Sequence, residues 1–366
     1  MQIQEKHKIT PTQFTFFVIQ AMVGVGILSL PYNVHQLSRG GAWISTIIAG
    51  VIAQITLFIQ WSLNKRYPKN TLYGILRLLA GKWIGTGLAV LYLLYFFMTS
   101  ALILILFTDI VGRWVLTETP RWVILALMAG SGLYLGKENT RIIARFMVPI
   151  SYLIFVLVTL VLLSYFDVDI RYMLPLTEAG WKNILIGSHE AFLAMVGYEV
   201  ILILYPFIGG GSRDVLRAGS IGMWLVVAFY TFVTFSSVIY FSPQEILMVQ
   251  EPVLYMMKSY TFRILERIDL LFLTLWLVNV LTSYITYVHL TAIGIQELLG
   301  DRVNVRRKSA GLLTIGSTIM AGLFSDPEAT KILGQIASLS GYLFFLGIPL
   351  LFLGISALKR MWRRRS

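Results

Sequence analysis

Cysteine is absent from this sequence. Its absence excludes disulfides and thiolate metal sites. Histidine is nearly as scarce: His7, His35, His189 and His289 are scattered, without metal-ligand spacing, so neither a metal nor another cofactor is expected. No phosphate loop, nucleophile–base pair or metal cluster stands out, which argues against an enzyme. Charged residues make up only 13% of the 366, and acids are fewer than bases, 18 against 30, for a net charge of +12. Such a balance would suit a nucleic-acid binder if the bases formed one patch. Instead they gather in alternate loops between long apolar runs, the pattern of the positive-inside rule. No cleavable leader is expected, because the stretch from Met1 to Thr10 is polar and the long apolar run after it has no small-residue cleavage pattern.

Apolar residues are abundant, at 57%. A run of roughly 20 such residues suffices to cross a bilayer, and the sequence predicts ten spans. They lie near 10–37, 42–63, 84–112, 121–136, 145–166, 183–208, 218–241, 269–293, 309–325 and 335–358. With both termini in the cytoplasm, 21 of the 30 basic residues fall on the cytoplasmic side, including the tail from Lys359 to Arg365. The segment from Arg66 to Lys82 is too polar to span. It reads as a short amphipathic surface helix with Leu72, Ile75, Leu76 and Leu79 on one face. The stretch from Ser242 to Arg267 reads either as a solvated loop or as a cover over an outer vestibule.

The first span is interrupted at its centre by Met22-Val23-Gly24-Val25-Gly26-Ile27-Leu28-Ser29-Leu30-Pro31. Glycine weakens a helix and lets a ligand approach the backbone; proline removes a donor. The sixth span repeats the pattern, with Met195-Val196-Gly197-Tyr198-Glu199 at mid-span and Pro206 beyond. Five spans separate the two, so they enter the membrane from opposite sides. Interrupted segments at matching positions predict an all-α, five-plus-five inverted-repeat fold of the LeuT-like, amino-acid-permease kind. Its repeats would cover about 10–166 and 183–358 within one polytopic domain. Half-helix ends present N–H groups to a carboxylate and carbonyls to an ammonium or a cation, which suits an amino acid. The candidate ligand site is therefore Val23, Gly24, Val25 and Gly26 with Gly197, Tyr198 and Glu199.

Burying a carboxylate is costly, so each intramembrane acid needs a partner, water or a proton. Glu199 reads either as a cavity-lining group or as a structural acid capping the break. His189 and Glu190 are candidates for a polar pathway. Asp109 is expected to pair with Arg113 four residues on, and Asp269 to join an ion-pair cluster with Glu266 and Arg267. In the eighth span, Asn279, Thr282, Ser283, Thr286 and Tyr287 share one helical face that could meet the first break. Thr282 and Ser283, with carbonyls near Val23, are a weak sodium-like candidate; interhelical hydrogen bonding is the alternative. Tyr95, Phe96 and Thr99 could supply an opposite wall.

Several ordered features carry a resemblance. They are the broken first span with Leu-Pro; Leu79-Ala80-Gly81-Lys82-Trp83-Ile84-Gly85; Gly197-Tyr198-Glu199-Val200; Glu266-Arg267-Ile268-Asp269-Leu270-Leu271-Phe272-Leu273 before Trp276; and the basic tail. Over essentially its whole length the chain resembles the B subunits of endospore germinant receptors. That family is similar to the amino acid–polyamine–organocation transporters. The resemblance implies a protein of the spore inner membrane that senses a small nutrient, often an amino acid, with an A subunit and a lipoprotein C subunit. It places the ligand at Gly24 to Gly26 and Gly197 to Glu199. The rival reading is a proton- or sodium-coupled amino-acid permease; the fifth span has no lysine or acid in its core for a proton-coupling role.

Overall fold

A computed structural model describes residues 8–259, 267–300, 303–324 and 326–365. Among them every element of regular secondary structure is helical, save for one isolated parallel bridge between Ile9 and Ile208. The first interrupted segment comprises α1 (Pro11–Met22), a 3-10 turn at Val25–Ile27 and α2 (Leu30–Ser38). Thr10 caps α1: its hydroxyl accepts from Gln13 N–H, the Gln13 side chain accepts from Thr10 N–H, and Pro11 fills the first turn. Then come α3 (Ala42–Arg66), α4 (Leu72–Trp114), α5 (Arg121–Gly136), α6 (Thr140–Ser151) and α7 (Leu153–Leu162). Pro149 sits near the end of α6, where its missing N–H and ring bulk account for the break before α7.

The second half holds α8 (Gly180–Ala194), the one-turn α9 (Ile201–Leu204), α10 (Ser212–Tyr240), the short α11 (Pro252–Lys258), α12 (Ile268–Leu299), α13 (Val303–Leu323), α14 (Pro327–Tyr342) and α15 (Ile348–Arg365). A π-turn at Leu343–Gly347 joins the last two. Such a turn leaves carbonyls out of register with the helix. Here Tyr92 OH donates to Phe344 O at 2.6 Å, and Gln60 Nε2 to Phe345 O at 3.0 Å.

Among the described residues, six helical stretches are long and apolar enough to cross a membrane, and the pair Gly180–Ala194 with Tyr198–Phe207, bent by 53°, makes a seventh if it is one span. The expected amphipathic helix is present, but α4 runs on from it across a turn at Gly81, whose φ of +83° favours glycine. Its apolar face, Leu72, Ile75, Leu76 and Leu79, is buried against the protein. Helix α12 lies at the centre, packed along α4, α5, α13 and α1, with Trp276 and Tyr284 fully enclosed. Helix α3 runs between α8 and α10, and α1 between α6 and α10. This layout brings both interrupted segments against α12 or its neighbours.

Candidate functional site

The two breaks touch. Helix α8 stops at Ala194, and Gly197 turns the chain with a φ of +140°. A Cβ at Gly197 would lie 2.5 Å from the carbonyl carbon and oxygen of Ala21 and 2.6 Å from Met22 N. Glycine is thus required there twice, by conformation and by contact. Gly26 lies against Ala194, where an added Cβ would approach the Ala194 Cα at 3.3 Å; Gly24 would meet only Ser283 Oγ, at 3.4 Å.

Where α1 ends, its last carbonyls need partners. Ser283 Oγ is placed to donate to Val23 O at 2.9 Å and Gln20 O at 3.0 Å. Thr282 Oγ1 lies against Asn279 O at 2.6 Å and against the Gln20 side-chain oxygen. Gln20 Nε2 reaches Asn279 Oδ1 at 3.0 Å and Ser151 Oγ at 3.1 Å. From the other side Tyr230 OH donates to Met22 O at 2.9 Å. The polar face of α12 therefore does meet the first break. Carbonyl oxygens of Gln20, Val23 and Asn279 and hydroxyls of Thr282 and Ser283 converge there. Thr286 Oγ1 turns back to its own helix, donating to Thr282 O.

Glu199 is fully buried. One carboxylate oxygen accepts from Tyr287 OH and the other from Gly197 N–H, both at 2.7 Å. It fastens α12 to the second break and caps the turn at that break.

Beside the breaks lies a cavity of about 300 Å³. Of the expected residues, Gly24, Val25, Gly26, Tyr95, Thr99, Ser283 and Tyr287 line it. Val23, Phe96, Gly197, Tyr198, Glu199, Asn279 and Thr282 do not; they stand behind the wall and hold it. Phe96, for example, packs on the Tyr287 ring with centroids 5.9 Å apart. Glu190 does line the cavity, whereas its neighbour His189 bonds Tyr342 OH through Nδ1, with the two rings stacked. Sequence reasoning missed Ser29, Asn33 and Phe192, and the α14 wall of Gly334, Ala337, Ser338 and Gly341. The signal for that wall was present: small residues at intervals of three and four, with room for Tyr95 OH against Gly341.

A vestibule of about 970 Å³ continues from the cavity, the two sharing Gly26, Ser29, Asn33, Leu106 and Gly334. Gln250 and Glu251 line it, so the stretch after Ser242 covers the vestibule; its residues 260–266, with Arg263 and Glu266, lie outside the described ones. The expected Asp109–Arg113 ion pair does not form. Arg121 pairs with Asp109, while Arg113 Nη2 reaches Glu251 Oε1 at 2.7 Å and gives the Asp109 backbone carbonyl only its Nε–H. Spacing along one helix allowed the local pair, but α5 and the covering segment bring better-placed partners. Asp269 pairs with Arg267 at 2.6 Å.

Opposite the vestibule, the ends of the interrupted segments are tied. Ile9 N–H donates to Phe207 O and Gly209 N–H to Ile9 O, each at 2.9 Å. Trp61 Nε1 donates to Ser212 O at 2.7 Å, and Tyr205 OH to Ser212 Oγ at 2.8 Å.

Known proteins are similar to this sequence and to this arrangement. The profile of the family described as "Spore germination protein" matches residues 8–330. Spore germination protein YndE of Bacillus subtilis (strain 168) is 27% identical over 365 residues, 98% of each chain. Spore germination protein GerQB of Bacillus cereus is 23% identical over 303 residues, 82% of each. Among solved structures, MhsT in complex with L-phenylalanine superposes with a TM-score of 0.68 at 14% identity, covering 93% of this chain and 87% of that one. A Na⁺-coupled sialic acid symporter in a substrate-bound outward-open state gives 0.62 at 11% identity, covering 97% and 79%. At such identities the likeness shows the fold, that of LeuT-like transporters.

Proposed function

The chain belongs to the spore germination protein family, and on that premise we propose that it is a nutrient-binding B-type subunit of an endospore germinant receptor. Its ligand is a small nutrient, an amino acid by the chemistry of the site. Family and fold point to a receptor or transporter rather than an enzyme.

One observation carries the reading: a cavity of about 300 Å³ is lined by residues of both breaks, Gly24, Val25 and Gly26 on one side and Ala194 and Val196 on the other. Its size lies at the lower end of small-molecule sites, roughly 300–1,000 Å³. Broken-helix ends offer the carboxylate and ammonium of an amino acid complementary backbone groups. Glu199 and Tyr287 fix the second break, and Ser283 and Gln20 the first. Ligand affinity that differs between two conformations shifts their populations, and the shift passes to an A subunit and a lipoprotein C subunit. In this reading the chain crosses the spore inner membrane ten times as one polytopic domain, in repeats of about 10–166 and 183–358. Both termini are cytoplasmic, and α5 and α13 are among the spans.

A second reading, a coupled amino-acid permease, draws on the oxygens of Gln20, Val23, Asn279, Thr282 and Ser283, which converge as the ligands of a sodium ion would. Vesicles holding the purified chain separate the two. Binding of radiolabelled L-amino acids without uptake, together with lost nutrient germination in a deletion strain, is the expected result. Uptake driven by a sodium or proton gradient would replace the receptor with the permease.

A further inference from the structure

At the end of the molecule away from the vestibule, a groove of about 1,130 Å³ runs between the last turn of α3, the start of α4 and the end of α15. Lys65, Arg66, Lys359 and Arg360 line it, and none of its described lining residues is acidic. None of the four pairs with a carboxylate among the described residues. Two are already tethered: Arg66 Nη1 donates to Leu353 O at 3.0 Å and to Ser356 Oγ at 3.2 Å, and Lys359 Nζ to Leu79 O at 3.0 Å. Lys65 sits over the Trp61 ring, 4.7 Å from its centroid. These contacts hold three of the four like charges around one hollow, an arrangement that repels itself unless an anion enters.

The floor and margin of the groove are apolar. Leu78 and Leu358 line it and are both 56% exposed. Next to it, past the Gly81 turn, Trp83 is 86% exposed and Ile84 67%. An exposed tryptophan beside such cations is what the level of lipid headgroups selects. A small soluble anion has no use for the leucines, and an acyl chain alone has no use for the cations.

We propose that this groove binds an anionic phospholipid. Its phosphate sits among Lys65, Arg66, Lys359 and Arg360, and its acyl chains run along Leu78 and Leu358. Basic pockets between membrane helices hold anionic headgroups by the same chemistry. The site joins the helix bearing Gln60, which holds the π-turn carbonyl of Phe345, to the helix that follows that turn. Only the leaflet rests on the orientation proposed above: with cytoplasmic termini, it is the cytoplasmic one.

The test uses the whole purified chain, equilibrated with equal amounts of phosphatidylglycerol and phosphatidylcholine and examined by native mass spectrometry. Wild type is expected to retain phosphatidylglycerol about tenfold over phosphatidylcholine, and K65Q/R360Q to lose that preference. Lys65 and Arg360 make no hydrogen bond among the described residues, and K65Q gives up only the contact with the Trp61 ring; size-exclusion behaviour and the single variants K65Q and R360Q check folding. Removing two charges elsewhere, in K182Q/K258Q, leaves the preference intact. Equal retention of both lipids by wild type would overturn the site, as would an unaltered preference in K65Q/R360Q. Displacement of the lipid by millimolar inorganic phosphate would show that a free anion is the ligand. None of these readings depends on nutrient binding, so the receptor assignment stands or falls separately.

Discussion

Gly197 rests directly on the Ala21 peptide: a single carbon added to it would lie 2.5 Å from that carbonyl. The two interrupted segments are therefore not neighbours with a ligand-sized gap all along their length. They press together at Gly197 and again where Gly26 meets Ala194 and α2 packs on α8, and the cavity opens beside these contacts.

Gly197→Ala should accordingly be among the most damaging single changes. It adds positive-φ strain to backbone overlap, a loss of at least about 2 kcal/mol. Thermal unfolding of the detergent-solubilised protein is expected to show a clearly lowered Tm. Gly24→Ala makes the contrast, because its Cβ meets only Ser283 Oγ, at ordinary contact distance. Its Tm should stay near wild type while nutrient affinity falls. If Gly24→Ala left the nutrient dose response unchanged, the ligand would not lie against this stretch.

Tyr287→Phe removes one of two donors to the Glu199 carboxylate while keeping the ring against Phe96. Leaving a buried acceptor short of a donor costs about 1–3 kcal/mol. Paired with Glu199→Gln in a double-mutant cycle, it should give a coupling of about 0.5–3 kcal/mol. Additive effects would mean the two side chains do not act through their hydrogen bond.

Ser283→Ala strips the hydroxyl from the Val23 and Gln20 carbonyls, again at about 1–3 kcal/mol. It also tests the permease reading. If sodium chloride raises the wild-type Tm relative to potassium chloride, the Ser283→Ala protein should have lost that difference; if neither protein distinguishes the salts, sodium has no place here.

Arg113 and Glu251 bind at the vestibule rim, with the arginine side chain 53% exposed. The Glu251 side chain is only 10% exposed, so loss of its partner leaves a nearly buried carboxylate short of a donor, at about 1–3 kcal/mol. Arg113→Gln should therefore lower the Tm modestly and, with a charge gone from the rim, also change the association rate of a charged ligand and its dependence on ionic strength. Stopped-flow binding at low and high salt reads this out.

The breaks were legible in the sequence because Gly24 and Gly26 gather with Pro31, and Gly197 with Pro206, at mid-span, whereas a lone glycine such as Gly50 is carried within its helix. The α12 stripe was legible for a related reason, since periodicity survives without knowledge of the partner. What escaped were relations between distant segments. Gln20 reads as one polar residue in an apolar helix until Asn279 and Ser151 arrive beside it. Asp109 had an arginine four residues away, and only folding supplied Arg121 in its place. Gly334, Ala337, Ser338 and Gly341 made a regular stripe of small residues, but small stripes usually pack helices. Only the position of α14 against Tyr95 turns this one into a wall.

The bridge between Ile9 and the stretch from Phe207 to Gly209 has a thermodynamic consequence. Its two main-chain bonds, both made by Ile9, tie the end of the molecule that faces away from the vestibule. In this conformation the cavity is a cup rather than a conduit, open on the vestibule and tied at its far end. On the receptor reading proposed above, its occupancy is an equilibrium reading of one compartment, set by concentration and affinity alone, as a thermometer reads only the bath that holds it.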